Sequence, residues 1–245
     1  MPPVESALFV DGSTFTMGAS TIRLFAQWSS PGSQWTEHLI SDVCSVRSWQ
    51  AIASSSDGMR LAAVFDNGYI CTSSDGGATW AITTEGLQKT WQSVASCADG
   101  TKLAAVVDNG YIYTYNDSEG IGTEQTLCGL HAWKSIASSA DGMRLAAAVN
   151  NGCIYTSTDG SATWIERTRT GTRNWSSVTC SGDGSILVAM VSSGLLYISA
   201  NGGYTWKACA VIPSLECRSV CSASDRSMLA AVAAGYPIYS QAPKA

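Results

Sequence analysis

Charge is scarce in this sequence, and positive charge especially so. Of 245 residues only 13% are Asp, Glu, Lys or Arg, and the net charge is −5 with 14 Lys and Arg in all. A typical soluble domain is about one quarter charged, so many surface positions here must be Ser, Thr, Gly or Asn. Without a basic field, nucleic acid is excluded as an expected partner. The 45% hydrophobic share in turn argues against a disordered chain.

Long apolar runs and targeting signals are also missing. No run approaches the roughly 18 residues of a membrane span, so none is predicted. The start of the chain, "MPPVESALFVDGSTF", lacks the basic and apolar regions of a secretory signal. The nine cysteines form no spaced framework, which favours reduced thiols and a cytoplasmic location. The alternative is a secreted protein whose signal has been removed.

Catalytic and ligand-holding motifs are sparse as well. Only Cys217 and Cys221 approach metal-ligand spacing, so we expect no metal and no cofactor. The sequence contains no phosphate-binding loop, dinucleotide fingerprint or nucleophile elbow. His38 and His131 are the only imidazoles, and neither lies in a recognisable catalytic motif.

What the sequence does contain is an internal repeat. Segments such as "WQAIASSSDGMRLAAVFDNGYICTSSDGGATW" recur at a step of 42 residues, starting at Trp49, Trp91, Trp133, Trp175 and Cys217. The units hold a short strand, an apolar "LAAV"-like strand, an aromatic strand and, in all but the last, a fourth strand. An Asp-Gly turn follows the first strand in the first four of these units, and an Asn-Gly turn follows the second strand in the first three. Four strands in about 40–45 residues are typical of a propeller blade.

The predicted fold is all-β: one six-bladed β-propeller domain, residues 1–245, of four-stranded antiparallel blades with a 42-residue repeat. Its units lie near residues 7–48, 49–90, 91–132, 133–174, 175–216 and 217–245. The last unit is short by about one strand. Either Val4–Val10 complete it, or this blade has three strands, because a propeller must close to remove its exposed edges.

An octapeptide closes several repeats: "SSDGGATW" at 73–80, "STDGSATW" at 157–164 and "SANGGYTW" at 199–206. It resembles the Asp-box, or BNR repeat, of sialidases and of many propellers without that activity. The wider unit resembles the WD40/YVTN/BNR-like superfamily, including repeats of the photosystem II assembly-factor type. The resemblance implies a structural role for the residues Asp75, Trp80, Asp159, Trp164, Asn201 and Trp206. Asp75 and Asp159 suit backbone hydrogen bonding within a turn, and the tryptophans suit burial.

The candidate ligand site lies on the face formed by the loops that precede each first strand. There a ring of indoles, Trp49, Trp91, Trp133 and Trp175, is able to stack on sugars or hold apolar and cationic ligands. The alternative is that these rings wedge adjacent blades together. Beside them lie the polar residues Gln50, Gln92, Lys134, Ser176 and Arg218. Residues that break the repeat symmetry complete the candidates: His131, Lys134, Arg173, Glu216 and Arg218.

These residues predict a monomeric recognition module whose ligand is a glycan or a protein. The alternative is an enzyme, glycoside-directed or acting on another small molecule, on the same loops. A glycosidase needs two carboxylates close together. The acids on the loops come from different units, and the sequence does not show that any two of them meet: Glu85, Glu124, Glu166 and Glu216. A third possibility is a pure assembly scaffold. Turn formation explains the aspartates that recur every 42 residues: Asp57, Asp99, Asp141, Asp183 and Asp225.

Overall fold

Antiparallel β-strands make up nearly all of the regular structure. The computed structural model describes residues 48–83, 88–117, 122–209, 215–225, 228–233 and 239–241. No α-helix occurs among them; the helical segments are two single 3-10 turns, Thr126–Cys128 and Thr168–Thr170. Within these ranges no helix is long and apolar enough to cross a membrane. The predicted all-β class is confirmed.

The strands fall into five successive units. Unit 1 contains β1 (Trp49–Ser54), β2 (Leu61–Phe65), β3 (Ile70–Ser73) and β4 (Ala81–Ile82). Unit 2 contains β5 (Trp91–Ser96), β6 (Lys102–Gly110), β7 (Ile112–Asn116) and β8 (Thr123–Gln125). Unit 3 contains β9 (His131–Ser138), β10 (Leu145–Gly152), β11 (Ile154–Ser157) and β12 (Ile165–Arg167). Unit 4 contains β13 (Arg173–Cys180), β14 (Leu187–Gly194), β15 (Leu196–Ser199) and β16 (Lys207–Cys209). Unit 5 contains β17 (Leu215–Ser222), β18 (Leu229–Ala233) and β19 (Tyr239–Gln241).

Each of the first four units is a four-stranded antiparallel meander. In unit 3, for example, β9 pairs with β10, β10 with β11 and β11 with β12. The turn between the second and third strands needs a positive φ, which Asn67, Asn109 and Asn151 supply at 51°, 53° and 55°. The predicted first unit, residues 7–48, lies outside the described residues except for its last residue, Ser48. Six blades and ring closure therefore stay predictions.

Most of the hydrophobic core lies between units; one small cluster, around Phe65 and Cys71, lies within unit 1. Small residues of β6, such as Ala104, and Val106 beside them pack with Trp133 and Ile136 of unit 3 in one cluster. Equivalent clusters join units 1 and 2, units 3 and 4, and units 4 and 5. A single unit thus cannot bury its own apolar face, as is typical of repeat proteins. Alanine in the second strands lets neighbouring units approach closely.

Backbone hydrogen bonds join the units at the end of each first strand. The N–H of Ser56 donates to the carbonyl of Ala98 at 2.8 Å, and Ala98 donates to Ala140 at 2.8 Å. The series continues from Ala140 to Gly182 at 2.7 Å and from Gly182 to Ser224 at 2.9 Å. A Cβ at residue 182 would lie 2.2 Å from the Ser224 hydroxyl oxygen, so a larger residue there would displace that side chain. The ladder fixes one end of every described unit, and the candidate site lies at the other end.

Candidate functional site

The tryptophans at the start of the first strands are buried, with one exception. Trp91, Trp133 and Trp175 are 0%, 0% and 1% exposed, whereas Trp49 is 41% exposed. The three buried indoles each donate Nε1–H to a glycine carbonyl of the preceding unit: Gly68 at 2.9 Å, Gly110 at 3.0 Å and Gly152 at 3.1 Å. Three of the four rings therefore present no surface to a ligand in this structure. Their contacts are those of wedges between units.

The glycine that receives each indole is dictated by space. A Cβ at residue 110 would lie 2.6 Å from Cγ1 of Val107, closer than real Cβ atoms come to other atoms. The Asn-Gly turn thus has two roles. Asn109 supplies the positive φ, and Gly110 lets its carbonyl meet the indole of Trp133.

Beside the buried indoles the polar side chains form a local cluster across two units. Nζ of Lys134 donates to Oε1 of Gln92 at 3.1 Å and lies 3.9 Å from a carboxylate oxygen of Asp108. Ser176 instead donates to the carbonyl of Met190 at 3.3 Å. Gln92 and Lys134 were candidates from the sequence, but Asp108 was not. Its only sequence signal was its place just before the Asn-Gly turn.

His131 belongs to an aromatic and acidic cluster at the start of β9. Its ring lies 5.1 Å from the rings of both Trp133 and Tyr155, and Nε2 is 3.1 Å from the Tyr155 hydroxyl. Burial, with the nearby Glu166 carboxylate, raises the pKa of Tyr155 to about 12. The phenol is therefore protonated at neutral pH, so it is a hydrogen-bonding group and a poor nucleophile. The convergence of His131, Tyr155 and Glu166 was not foreseen from the sequence.

Arg173 occupies the position of His131 one unit later and makes a related contact. Its guanidinium lies over the ring of Tyr197, with Cζ 4.8 Å from the centroid, and its Nε donates to the Thr170 carbonyl at 3.0 Å. One unit earlier, Nζ of Lys89 lies 5.6 Å from the centroid of Tyr113. A cation or imidazole over a tyrosine thus recurs in three units. Arg173 remains exposed to solvent on its other side.

The last two candidates belong to β17. Glu216 pairs with Ser192 through the backbone, and its side chain lies outside the described residues. Arg218 is exposed. The structure therefore divides the predicted site into the Lys134 and His131 clusters, the Arg173–Tyr197 stack and the separate residues of β17. Among the described residues, no group of three or more His, Cys, Asp or Glu is placed to hold a metal ion.

Two exposed leucines on the loop before β9 were absent from the sequence candidates. Leu127 is 83% exposed and Leu130 is 60% exposed, while Cys128 between them is buried against Trp133 and its cluster. The loop is also closed by a hydrogen bond from Gly129 N–H to the Thr126 carbonyl at 3.1 Å. Cys128 and this bond hold the loop in place, so the leucines project from an ordered turn.

The octapeptide turns use their polar groups internally. Asp75 accepts from the Thr79 N–H at 2.8 Å and from the Thr79 hydroxyl at 2.6 Å, and Ser73 Oγ accepts from Gly77 N–H at 2.9 Å. The same bonds recur around Asp159. Asn201 also accepts from the Thr205 N–H, but its amide Nδ2 donates to the Thr205 hydroxyl instead of accepting from it. The Thr79 contacts lower the pKa of Asp75 to about 2. Because the polar groups of the turn hydrogen-bond to one another, a scaffolding role is favoured for the turn.

One octapeptide turn departs from the others. Trp80 and Trp206 donate Nε1–H to the carbonyls of Gly77 and Gly203, both at 3.0 Å. In the middle copy Ser161 replaces this glycine, with φ at 81°, and the buried Nε1 of Trp164 has no hydrogen-bond partner. The serine thus adopts a φ that favours glycine, in the same turn in which the buried indole N–H is unsatisfied.

Comparison with known proteins identifies the fold but no family. No family model and no curated protein matches the sequence. Among solved structures, a nidogen/laminin complex is similar with a TM-score of 0.64 and 12% identity, over 76% of this chain and 72% of that one. YCF48 from Cyanidioschyzon merolae gives 0.60 and 15%, over 81% and 68%. An ancestral GH74 enzyme gives 0.61 and 16%, over 80% of this chain and 30% of that one. These neighbours have propeller-type folds, and at this level of identity they show only that the chain shares their kind of fold.

Proposed function

We propose that the protein is a recognition module: a six-bladed β-propeller of the Asp-box type that docks a protein partner on the loop face. The observation that carries the proposal is the exposure of Leu127 and Leu130 on an anchored loop. Single exposed apolar side chains are common, but grouped ones mark interaction sites, and these two leucines lie on one ordered turn.

The equivalent loop in the next unit supports this assignment. Forty-two residues later, Arg169 and Thr172 occupy the positions of Leu127 and Leu130. The same kind of 3-10 turn forms there, with Thr170 buried in place of Cys128. The fold therefore does not require leucine at either position, and a bound apolar side chain of a partner explains both leucines.

Protein docking is favoured over the glycan alternative on this face. Glycan recognition by a ring of indoles needs accessible rings, and three of the four, Trp91, Trp133 and Trp175, are buried here. Only Trp49 among them is partly exposed. One structural neighbour is a complex between two proteins, which agrees with docking, although another is an enzyme. Since fold does not determine function, the loop residues carry the proposal.

The test compares partner binding by two variants with wild-type protein. Partners are captured from extracts with a photo-crosslinker placed near residue 127, identified, purified and titrated calorimetrically. The double variant Leu127→Lys, Leu130→Lys is expected to bind an identified partner at least about tenfold more weakly, a loss of about 1.4 kcal/mol. The matched control is Ile165→Lys, since Ile165 is an exposed apolar residue on β12 outside this loop. Equal affinity in the double variant for every identified partner would refute the proposal.

A further inference from the structure

Two arginines of unit 3 lie against the octapeptide turn of unit 4. The stem of Arg144 packs on Gly184, where a Cβ would lie 2.6 Å from Cδ of the arginine, and its Nη1 lies 3.4 Å from the position of a Cβ at Gly202. Nε of Arg167 lies 3.6 Å from the position of a Cβ at Gly203. Two guanidinium groups therefore meet neighbouring residues of one turn, at the junction of units 3 and 4.

The equivalent positions one junction earlier line a single cleft. Between units 2 and 3 the residues that correspond to the two arginines are Lys102 and Gln125, and the octapeptide turn there contributes Asp159. All three line one cleft with a volume of about 390 Å³. Arg144 and Arg167 therefore border the corresponding space between units 3 and 4.

Arg144 lacks the carboxylate with which its counterpart pairs. The corresponding arginine of unit 1 is Arg60, which forms an ion pair with Asp117 across the junction of units 1 and 2. The residue that corresponds to Asp117 in unit 4 is Asn201, whereas the first three units all have aspartate there. Among the described residues Arg144 forms no ion pair. The asparagine thus removes a counter-ion that the same arrangement has elsewhere in the chain.

Arg167 is buried and carries an unsatisfied donor. Its side chain is only 9% exposed, and its buried Nη2 has no hydrogen-bond partner within the described part of the chain. Nε donates to the Thr156 hydroxyl at 2.7 Å, and the guanidinium carbon lies 4.3 Å from the centroid of the Tyr204 ring. Neither contact supplies a negative charge. A guanidinium does not lose its proton, and a buried charge is costly unless it is paired.

Packing alone does not explain Arg167 or Tyr204. The residues of the other units that correspond to Arg167 are neutral: Thr83, Gln125 and Cys209. Units 1 and 3 have alanine at the position of Tyr204. The tyrosine side chain is 58% exposed and lies over the guanidinium, so rotation of this side chain opens Nη2 to a ligand.

We propose that the junction of units 3 and 4 binds a phosphate group. Nη2 of Arg167 and the guanidinium of Arg144 hold its oxygens, and Tyr204 turns aside to admit it. Guanidinium groups match the geometry of phosphate oxygens, and two cations without a counter-ion suit a dianion better than a carboxylate. Inorganic phosphate and a phosphomonoester offer the same group.

The test is calorimetric titration of the full chain with inorganic phosphate, glycerol phosphate and acetate, at constant ionic strength and above the second pKa of phosphate. Phosphate is expected to bind saturably with a Kd of about 1 mM or lower, and more tightly than acetate. Tighter binding of glycerol phosphate than of inorganic phosphate would identify a phosphomonoester as the occupant, and the reverse would identify the free ion.

Two variants remove the site with residues that the chain itself carries at the equivalent positions. Arg167→Gln copies Gln125, and Asn201→Asp restores the carboxylate that pairs with the arginine in units 1 and 2. Each is expected to weaken phosphate binding at least about tenfold. The control Arg169→Gln removes the same charge from an exposed residue in the 3-10 turn and is expected to bind phosphate as wild type does.

Thermal unfolding followed by circular dichroism verifies folding and gives a second readout. Phosphate should raise the melting temperature of wild type but not that of Arg167→Gln, because a ligand stabilises only a protein that binds it. If Arg167→Gln does not fold, Asn201→Asp decides, since aspartate occupies this position in three units. Tyr204→Ala is expected to retain binding, because the tyrosine only covers the site.

The proposal is overturned if phosphate does not bind wild-type protein saturably, if acetate binds more tightly, or if folded Arg167→Gln and Asn201→Asp bind phosphate as wild type does. Loss of binding in Tyr204→Ala would also contradict it. The site shares no residue with the leucine loop, so Leu127→Lys, Leu130→Lys is expected to bind phosphate normally. Partner docking and phosphate binding can thus fail independently.

Discussion

The role of the buried indoles is open to a direct thermodynamic test at Trp133. The ring is fully buried between units 2 and 3, and its Nε1–H donates to Gly110. Replacing a buried tryptophan by alanine typically costs about 3–5 kcal/mol, because apolar contacts are lost and a cavity remains. Domains of this kind are stable by about 5–15 kcal/mol, so Trp133→Ala is expected to lose a large part of the free energy of unfolding.

Two further substitutions divide this loss into parts. Trp133→Phe keeps most of the apolar contact but leaves the Gly110 carbonyl without its donor, at a cost of about 1–3 kcal/mol. Trp49→Ala is the matched control at the same repeat position, where the ring is 41% exposed and packs edge-on against Phe65. Because less surface is buried there, the expected loss is below about 2 kcal/mol.

Urea unfolding followed by far-ultraviolet circular dichroism gives the free energies, since tryptophan fluorescence would itself change in these variants. The slope of free energy against urea concentration must remain constant for the comparison to hold. If Trp133→Ala costs no more than Trp49→Ala, the wedge explanation is refuted. An accessible, ligand-binding indole would then be the better explanation.

Two other predictions concern the octapeptide turns. The folded pKa of Asp75 is about 2, below its ordinary 3.8, so its stabilising contribution is present above about pH 4 and is lost as the pH falls toward 2. Asp75→Asn, which copies Asn201, is expected to match wild type near pH 7 and to lose less stability in acid; equal acid dependence by urea unfolding would contradict this. Ser161→Gly should raise stability by about 1 kcal/mol, because it relieves a positive φ at a non-glycine residue. The reciprocal Gly77→Ser should lower it, and a rise in melting temperature for Gly77→Ser would count against the argument.

Local features of the fold were predictable because donor and acceptor lie close in sequence. The Thr79 and Asp75 groups that bond in the octapeptide are four residues apart, and both residue types are typical of turns. Asn67 adopts its positive φ within a two-residue turn that the Asn-Gly pair specifies. Strand positions followed in the same way from apolar runs and turn residues.

The orientation of the tryptophans was beyond the sequence because the decisive partner is distant. The indole of Trp133 meets the carbonyl of Gly110, 23 residues earlier in another unit. A ring facing a channel and a ring wedged between units have the same 42-residue periodicity. Only the packing of successive units separates the two, and it also brings Lys134 to Asp108 and His131 to Tyr155.

Departures from the repeat carry most of the functional information in this chain. Positions that recur, such as Trp91 and Trp133, are explained by packing between units and need no ligand. Where one unit differs while its neighbours show that the fold accepts another residue, packing alone does not explain the choice. Leu127, where the next unit has Arg169, is one such difference on the loop face. Each neighbour also supplies the substitution that tests it, so the repeat provides its own controls.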